Sequence, residues 1–332
     1  MSRAQPPVTW LMPVRNGMPY LPQTLESIAN QTYRNHKLLV RDDGSTDDTL
    51  DELKRWVPSR IPGEIFSGPA MGVGRSLAFL VDQAKTEYCA RIDGDDINMP
   101  DRLEKQVEFM RSHHKAGAVG SQVKLIDENG DPMEEYNFET EDAEIRWLTR
   151  YACRICHPTV MLRRSVVIMV GNYRNLSSYE DTDLWVRMSR IAELVNMPER
   201  LLCYRRFTGS VTGMVHDWLA FMRKGALLNA EIIFPGIKNA ERAMDLWDAT
   251  VPQSLSWAPE ITHPAKLSHL RDLKRSAILM ARESRKPDDY FTSTKVFREQ
   301  YWLLKRRLLS RFGLAPLLRF RDRMASTRAA QD

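Results

Sequence analysis

Three short apolar runs in the first hundred residues each stop at a polar turn, and between them apolar residues recur at helical spacing. Val8 to Val14 is closed by Asn16-Gly17. Lys37 to Arg41 runs into Asp42-Asp43-Gly44-Ser45-Thr46-Asp47-Asp48, and Tyr88 to Ile92 runs into Asp93-Gly94-Asp95-Asp96. Short apolar runs bounded by turn residues read as strands. Leu21, Leu25 and Ile28 predict a helix reaching about Gln31, and Leu50, Leu53 and Trp56 predict a second. A third opens at Gly72-Val73-Gly74-Arg75 with Leu77, Leu80 and Val81, and a fourth covers Arg102 to Met110. Strands alternating with helices restrict the chain to an α/β fold built on a mostly parallel sheet, whose ligands gather at the carboxyl ends of the strands.

The acidic turns fall at those ends. Three carboxylates in Asp93-Gly94-Asp95-Asp96 repel one another, and each costs free energy to desolvate unless a cation neutralises it. A divalent ion of the Mg²⁺ or Mn²⁺ type, held by oxygen ligands, answers that cost and commonly carries phosphate or diphosphate. A solvated turn with Asp96 capping a helix near Pro100 is the plainer alternative. Asp42 and Asp43 could accept hydrogen bonds from a nucleobase or a ribose. Ser45 to Asp48 also suits a turn and helix cap. Glu180-Asp181 opens a further helix, expected over Asp181 to Ile191, where acids are favoured by the helix dipole. A carboxylate there, facing a metal, could serve as general base.

Beyond the fourth helix a strand is expected near Ala118 to Val123. Glu128-Asn129-Gly130-Asp131 predicts a hairpin between Val123-Leu125-Ile126 and Met133. Residues 141–150 read as a short amphipathic helix and His157 to Leu162 as a strand. Past about residue 214 the alternation fades into helical patterns broken by prolines, which places a domain boundary at 210–220. A catalytic domain is thus expected over 1–215 and a mainly helical, basic region over 216–332. Residues 266–332 hold 17 Lys/Arg against 7 Asp/Glu, whereas the rest of the chain holds 31 against 36. Within that region, Lys295 to Arg323 mixes aromatic and leucine residues with arginines and lysines. Such a helix can lie on an anionic membrane surface or dock on the catalytic domain. Nucleic acid is not expected as a partner, because no binding motif accompanies the charge.

No apolar run reaches the length of a membrane span. The N-terminal residues are too short and polar for a signal peptide. Four cysteines in 332 residues do not read as a disulfide framework. A cytoplasmic location is therefore expected, at most peripheral at the cytoplasmic face of the membrane. In that setting Cys153-Arg154-Ile155-Cys156-His157 is rejected as a haem attachment segment, and two cysteines with one histidine fall short of a zinc site. Gly72-Val73-Gly74 lacks the third glycine of a dinucleotide fingerprint.

Taken in order, these pieces resemble the family 2 glycosyltransferases, inverting enzymes of the GT-A fold. The matching stretches are Met12 to Gly17, Ser27 to Tyr33, Asp42 to Thr49, Ala90 to Asp96, Pro100 to Gln106, His157 to Met161 and Glu180 to Trp185. The resemblance covers roughly residues 8–212, and seven motifs in register are specific where one would not be. The resemblance implies a Rossmann-like sheet flanked by helices, with a C-terminal helical extension. It implies a nucleotide-sugar pocket drawing on Pro13, Val14, Asn16, Asp42, Asp43, Arg75, Asp93, Gly94 and Asp95. Asp93 and Asp95 match a metal-binding Asp-x-Asp motif for Mn²⁺ or Mg²⁺, which His157 is expected to approach. Asp181 matches the catalytic base and Glu180 its neighbour. The donor would carry UDP, GDP or dTDP, and the acceptor would be a glycan or a lipid-linked sugar of a surface polysaccharide.

One position departs from the pattern. Phe207 stands where many relatives have a histidine, and Arg205 or Arg206 is expected to substitute for it. Two other functions were weighed. A nucleotide-sugar pyrophosphorylase should have a glycine-rich basic loop after the first strand, which Met12 to Gly17 does not supply. A non-catalytic assembly subunit with a decayed transferase domain is opposed by the intact Asp93, Asp95 and Asp181.

Overall fold

The computed structural model describes residues 5–133, 137–142, 145, 146, 149, 153–176, 178–207, 225 and 227–229. The chain divides into two units, Met1–Gly225 and Ala226–Asp332. The boundary expected at 210–220 and the basic segment Lys295 to Arg323 lie outside the described residues. Among those residues no helix is long and apolar enough to cross a membrane.

In the first unit eight strands form one sheet. They are β1 (Val8–Val14), β2 (His36–Asp42), β3 (Gly63–Ser67), β4 (Tyr88–Arg91), β5 (Ile97–Asn98), β6 (Ala116–Ile126), β7 (Met161–Arg163) and β8 (Glu193–Arg205). Their order is β3-β2-β1-β4-β7-β6-β8-β5. The half from β3 to β4 is parallel. β7 then runs antiparallel to both β4 and β6, β8 pairs parallel with β6, and β5 pairs antiparallel with β8. The sheet is therefore mixed but mostly parallel, with its antiparallel pairings confined to β7 and β5.

Every residue of β1 is buried, because β1 is covered on both faces. Trp10, Met12 and Val14 pack with Leu21, Leu25 and Ile28 of α1 (Leu21–Ala29), Leu53 of α2 (Thr49–Trp56) and Leu103 and Val107 of α4 (Arg102–Ser112). Leu11 and Leu39 face the other way. They join Leu77 and Leu80 of α3 (Val73–Gln83), Val167 of α5 (Arg164–Met169) and Leu184, Trp185 and Met188 of α6 (Glu180–Met188). The result is a three-layer α/β/α sandwich.

The Asn129-Gly130 hairpin forms: Asp127 N–H donates to the Asp131 carbonyl and Met133 N–H to that of Leu125. The helix expected at 141–150 lies partly outside the described residues. Within them, Ile145 N–H donates to Glu141 and Thr149 N–H to Ile145. The strand expected over His157 to Leu162 is corrected. His157–Thr159 is a 3₁₀ turn, and the strand begins at Met161. Pro158 has no N–H to give a sheet ladder. Asp96 is not a helix cap, since α4 begins after Asp101.

Candidate active site

β4 ends at Arg91, and the turn after it brings Asp93, Asp95 and Asp96 together, with a ligating oxygen of each within 4.8 Å of the others. Asp93 and Asp95 are half-buried and Asp96 is fully buried. Burial, then the charge of Asp93, raises the Asp95 carboxyl to about 7. Asp96 is pushed well above the carboxylate range by burial and then by Asp95. Asp96 Oδ1 accepts the Arg205 N–H at 2.9 Å, while its buried Oδ2 has no hydrogen-bond partner. Three clustered carboxylates, with Asp95 and Asp96 raised by burial and by neighbouring charge and one buried oxygen unpartnered, fit a hard divalent cation and its oxygen ligands.

Gly94 lets this turn form against β1. A Cβ there would come 2.8 Å from Val14 Cγ2. The contact is below any van der Waals separation, and Val14 is itself buried. Gly94→Ala should therefore cost about 1–3 kcal/mol. In a double-mutant cycle followed by chemical denaturation, Val14→Ala should recover part of that loss. Simple additivity of the two changes would show that the clash is relieved elsewhere.

Glu180 and Asp181 occupy the first turn of α6, behind Tyr179 in the left-handed conformation at φ 71°. α3 approaches them closely: a Cβ on Gly74 would lie 3.2 Å from Glu180 Cβ. Burial, then Asp181, raises Glu180 to about 7. Asp181 is raised above its ordinary value by burial, against the opposing hydrogen bonds from Thr182 and Cys153. Its Oδ1 accepts the Thr182 N–H at 2.6 Å, and its Oδ2 lies 3.5 Å from Cys153 Sγ. A partly exposed carboxylate with a raised pKa at a helix N-terminus has the properties of a general base near neutral pH. His157 is not among the clustered carboxylates. Its Nε2 meets Tyr173 Oη at 2.9 Å, and its Nδ1 lies 3.8 Å from Glu180 Oε1. Burial and then Arg91 hold it well below the usual histidine pKa, so it is neutral.

Arg91 was not singled out from the sequence. Its guanidinium is buried and bonds Asp93 through Nη1. Burial works against its charge, but Asp93, Tyr173 and Glu180 together outweigh burial and hold Arg91 above its ordinary range. A charged residue inside an apolar strand run was the available signal. Arg102 lies below it, donating to the carbonyls of Arg91 and Val160 and lowered to about 9, chiefly by burial. Arg205 does not reach outward in place of a histidine. Its Nε donates to the Asp95 carbonyl at 3.0 Å, Nη1 to Asp127 and Glu128, and Nη2 to Gln23 Oε1. It clasps the acidic turn to the hairpin and to α1. Arg206 is exposed beside it, and Phe207 packs on Tyr20.

The expected nucleotide-side residues line the carboxyl ends of β1 and β2, where Pro13 pairs with Arg41 and Val14 with Asp42. Asn16 Oδ1 accepts the Thr46 N–H at 2.8 Å, tying the loop after β1 to the loop after β2. Asp42 accepts from Ser45 N–H and Ser67 Oγ. Asp43 accepts the N–H groups of Met71 and Gly72, each at 2.8 Å, and Ser76 Oγ. Asp43 thus anchors the entry to α3, and Arg75 stands exposed on that helix's first turn.

The profile for glycosyl transferase family 2 matches residues 9–170. The chain is similar to the family 2 glycosyl transferases over just under half of its length. Over 188 residues it is 33% identical to EpsE of Bacillus subtilis, a match covering 55% of this chain and 66% of that one, just under two thirds. It is 28% identical over 202 residues to the O-antigen biosynthesis glycosyltransferase WbnJ of Escherichia coli, covering 60% and 79%. It is 29% identical over 188 residues to the amylovoran biosynthesis glycosyltransferase AmsE of Erwinia amylovora, covering 56% and 70%. Among solved structures, residues 1–349 of Staphylococcus aureus TarS with UDP-GlcNAc superpose with a TM-score of 0.60 over 92% of both chains at 16% identity. The mannosyltransferase PcManGT of Pyrobaculum calidifontis with GDP-Man and Mn²⁺ superposes with a TM-score of 0.53 over 92% and 88% at 18% identity. Those structural likenesses speak for the fold alone. The named relatives are glycosyltransferases, and the activity, donor, acceptor and metal of this chain are argued next.

Proposed function

We propose that this transferase moves a sugar from a nucleoside diphosphate donor to a hydroxyl of a glycan or lipid-linked acceptor, with inversion at the anomeric carbon. The observation that carries this reading is the pairing of two carboxylate groups in one site. One is the Asp93, Asp95 and Asp96 cluster after β4, and the other is Glu180-Asp181 on α6, with buried Arg91 interacting with both. Asp93 and Asp95, with Asp96 behind them, would hold Mn²⁺ or Mg²⁺. Bound there, such an ion neutralises charge that gathers on a departing diphosphate.

Asp181 takes the proton from the acceptor hydroxyl. That oxygen attacks the anomeric carbon in line as the bond to the diphosphate breaks, and one displacement inverts the configuration. Asp181 is flanked by Glu180, which its raised pKa keeps partly protonated at neutral pH. No second carboxylate is assigned a nucleophile's role, as a retaining route would require. The loops after β1 and β2 would take the nucleoside, with Pro13, Val14, Asn16, Asp42 and Asp43 on their rims and Arg75 reaching toward the phosphates.

WbnJ and AmsE act in O-antigen and amylovoran biosynthesis by their names. A surface polysaccharide acceptor suits this chain too, and so does attachment of its basic C-terminal region to the anionic cytoplasmic face of a membrane. The test is thermal stability against UDP, GDP and dTDP, with and without Mn²⁺. One nucleotide should raise the melting temperature only with the metal, since a ligand binding the folded state alone stabilises it. Equal shifts with and without Mn²⁺ would count against the metal site, and no shift from any of the three against the donor class.

A further inference from the structure

The segment Cys153-Arg154-Ile155-Cys156-His157 lies against the carboxylates of Glu180 and Asp181. Its two ends touch the two members of the pair. Cys153 Sγ is 3.5 Å from Asp181 Oδ2 and 3.1 Å from the Ile155 carbonyl, so its one proton has both as acceptors. At the other end His157 Nδ1 is 3.8 Å from Glu180 Oε1.

The tautomer of His157 is coupled to its other contact, with Tyr173. Tyr173 is buried, and burial pushes its phenol above the ordinary range, so the O–H stays on. That hydroxyl lies 2.9 Å from His157 Nε2 and donates to it when the ring carries its proton at Nδ1. An imidazole that accepts at Nε2 carries its proton at Nδ1, the nitrogen facing Glu180. Trp185 meets the ring edge-on at 5.8 Å between centroids, which fixes its plane. The 3₁₀ turn at His157–Thr159 is fixed in turn, because Thr159 Oγ1 donates to the Cys156 carbonyl at 2.7 Å.

We propose that Cys153 and His157 are positioning residues for the transfer reaction: Cys153 orients Asp181 toward the acceptor, and His157, set by Tyr173, holds Glu180 aside. This inference rests on Asp181 as base, as proposed above. The arrangement explains why the two adjacent acids have different roles. Asp181 has one oxygen on Thr182 and the other on a weak thiol donor, which leaves lone pairs for a substrate hydroxyl. Glu180 faces the neutral donor of a rigid imidazole and sits deeper.

The test uses the full chain with Mn²⁺ and two donors, UDP-GlcNAc and GDP-Man, and follows hydrolysis of the sugar with water in the acceptor's place. Cys153→Ala should lower kcat about tenfold with the donor KM within twofold of wild type, as displacement of a reacting group by a fraction of an ångström does. Cys153→Ser, which restores a donor, should recover most of that loss. Tyr173→Phe keeps the packing and removes the hydroxyl that sets the tautomer, and it should also lower kcat at unchanged KM. Melting temperatures of all variants are read alongside, so that unfolding is seen as such. Wild-type kcat in both Cys153→Ala and Tyr173→Phe would overturn the positioning role while leaving the base assignment intact. A Cys153→Ser variant as slow as Cys153→Ala would overturn the hydrogen-bond origin of the effect. Absence of turnover in the wild type with both donors, together with no thermal shift from any nucleotide, would remove the transferase mechanism and this inference with it.

Discussion

Asp181→Asn should lower turnover of the donor sugar by about 10²–10⁴-fold, the range expected for loss of a general base. The substitution preserves shape. The amide oxygen can still accept the Thr182 N–H that Asp181 Oδ1 accepts at 2.6 Å, so α6 should keep its first turn. What is lost is the proton acceptor. Binding of the nucleoside diphosphate, followed by thermal shift with Mn²⁺, should stay within a factor of two of wild type. Equal losses in turnover and in nucleotide binding would remove Asp181 from the base role and make it part of the donor site. Glu180→Gln should have the smaller effect. Its carboxyl is raised to about 7 by burial and by Asp181, so near neutral pH the native group is already partly in the protonated form that glutamine imitates.

The acidic turns and strands β1, β2 and β4 were legible in the sequence because apolar runs there stop abruptly at carboxylates. The site follows from that pattern, since parallel strands side by side bring their carboxyl ends to one edge. Other elements gave weaker signals. β3 is five half-exposed residues beginning at Gly63, with no alternation to mark it. β8 contains Pro198-Glu199-Arg200 in its middle, which reads as a loop. The structure absorbs them by shifting register against β6 between Ser121 and Val123. His157 was expected near the metal because Phe207 stands where relatives have a histidine. Its partners, Tyr173 and Glu180, come from chain segments 16 and 23 residues away, and no local pattern announces them. Arg205 or Arg206 was expected to take a histidine's place, but the four oxygens that claim the Arg205 guanidinium could be seen only in three dimensions. Asp96 was the least legible of all. A helix cap and a buried member of a charge cluster are the same residue type at the same spacing, and only its complete burial separates them.

That burial sets the second large expectation, the dependence of stability on pH and metal. Asp95 and Glu180 are raised to about 7, first by burial and then by Asp93 and Asp181 respectively, and Asp96 is raised further. In the unfolded chain these groups release their protons near pH 4. Between about pH 4 and 7 the native state therefore binds more protons than the unfolded state, and stability falls as pH rises through that window. After treatment with a chelator, the melting temperature should drop by several degrees from pH 5.5 to pH 8. Millimolar Mn²⁺ should reverse most of the drop at pH 8 and do little at pH 5.5, where protons compete for the same oxygens. A cation at a hundred times its Kd adds about 2.7 kcal/mol. In a domain of this size that corresponds to a rise of about 5–10 °C. Asp95→Asn removes one titrating member without changing its shape. It should make the metal-free protein more stable than wild type at pH 8 and abolish the Mn²⁺ response there. An Asp95→Asn variant that keeps the full Mn²⁺ shift would mean that the cation binds elsewhere. The carboxylate cluster would then be relieved by protonation alone, with Asp96 holding its proton on the buried Oδ2.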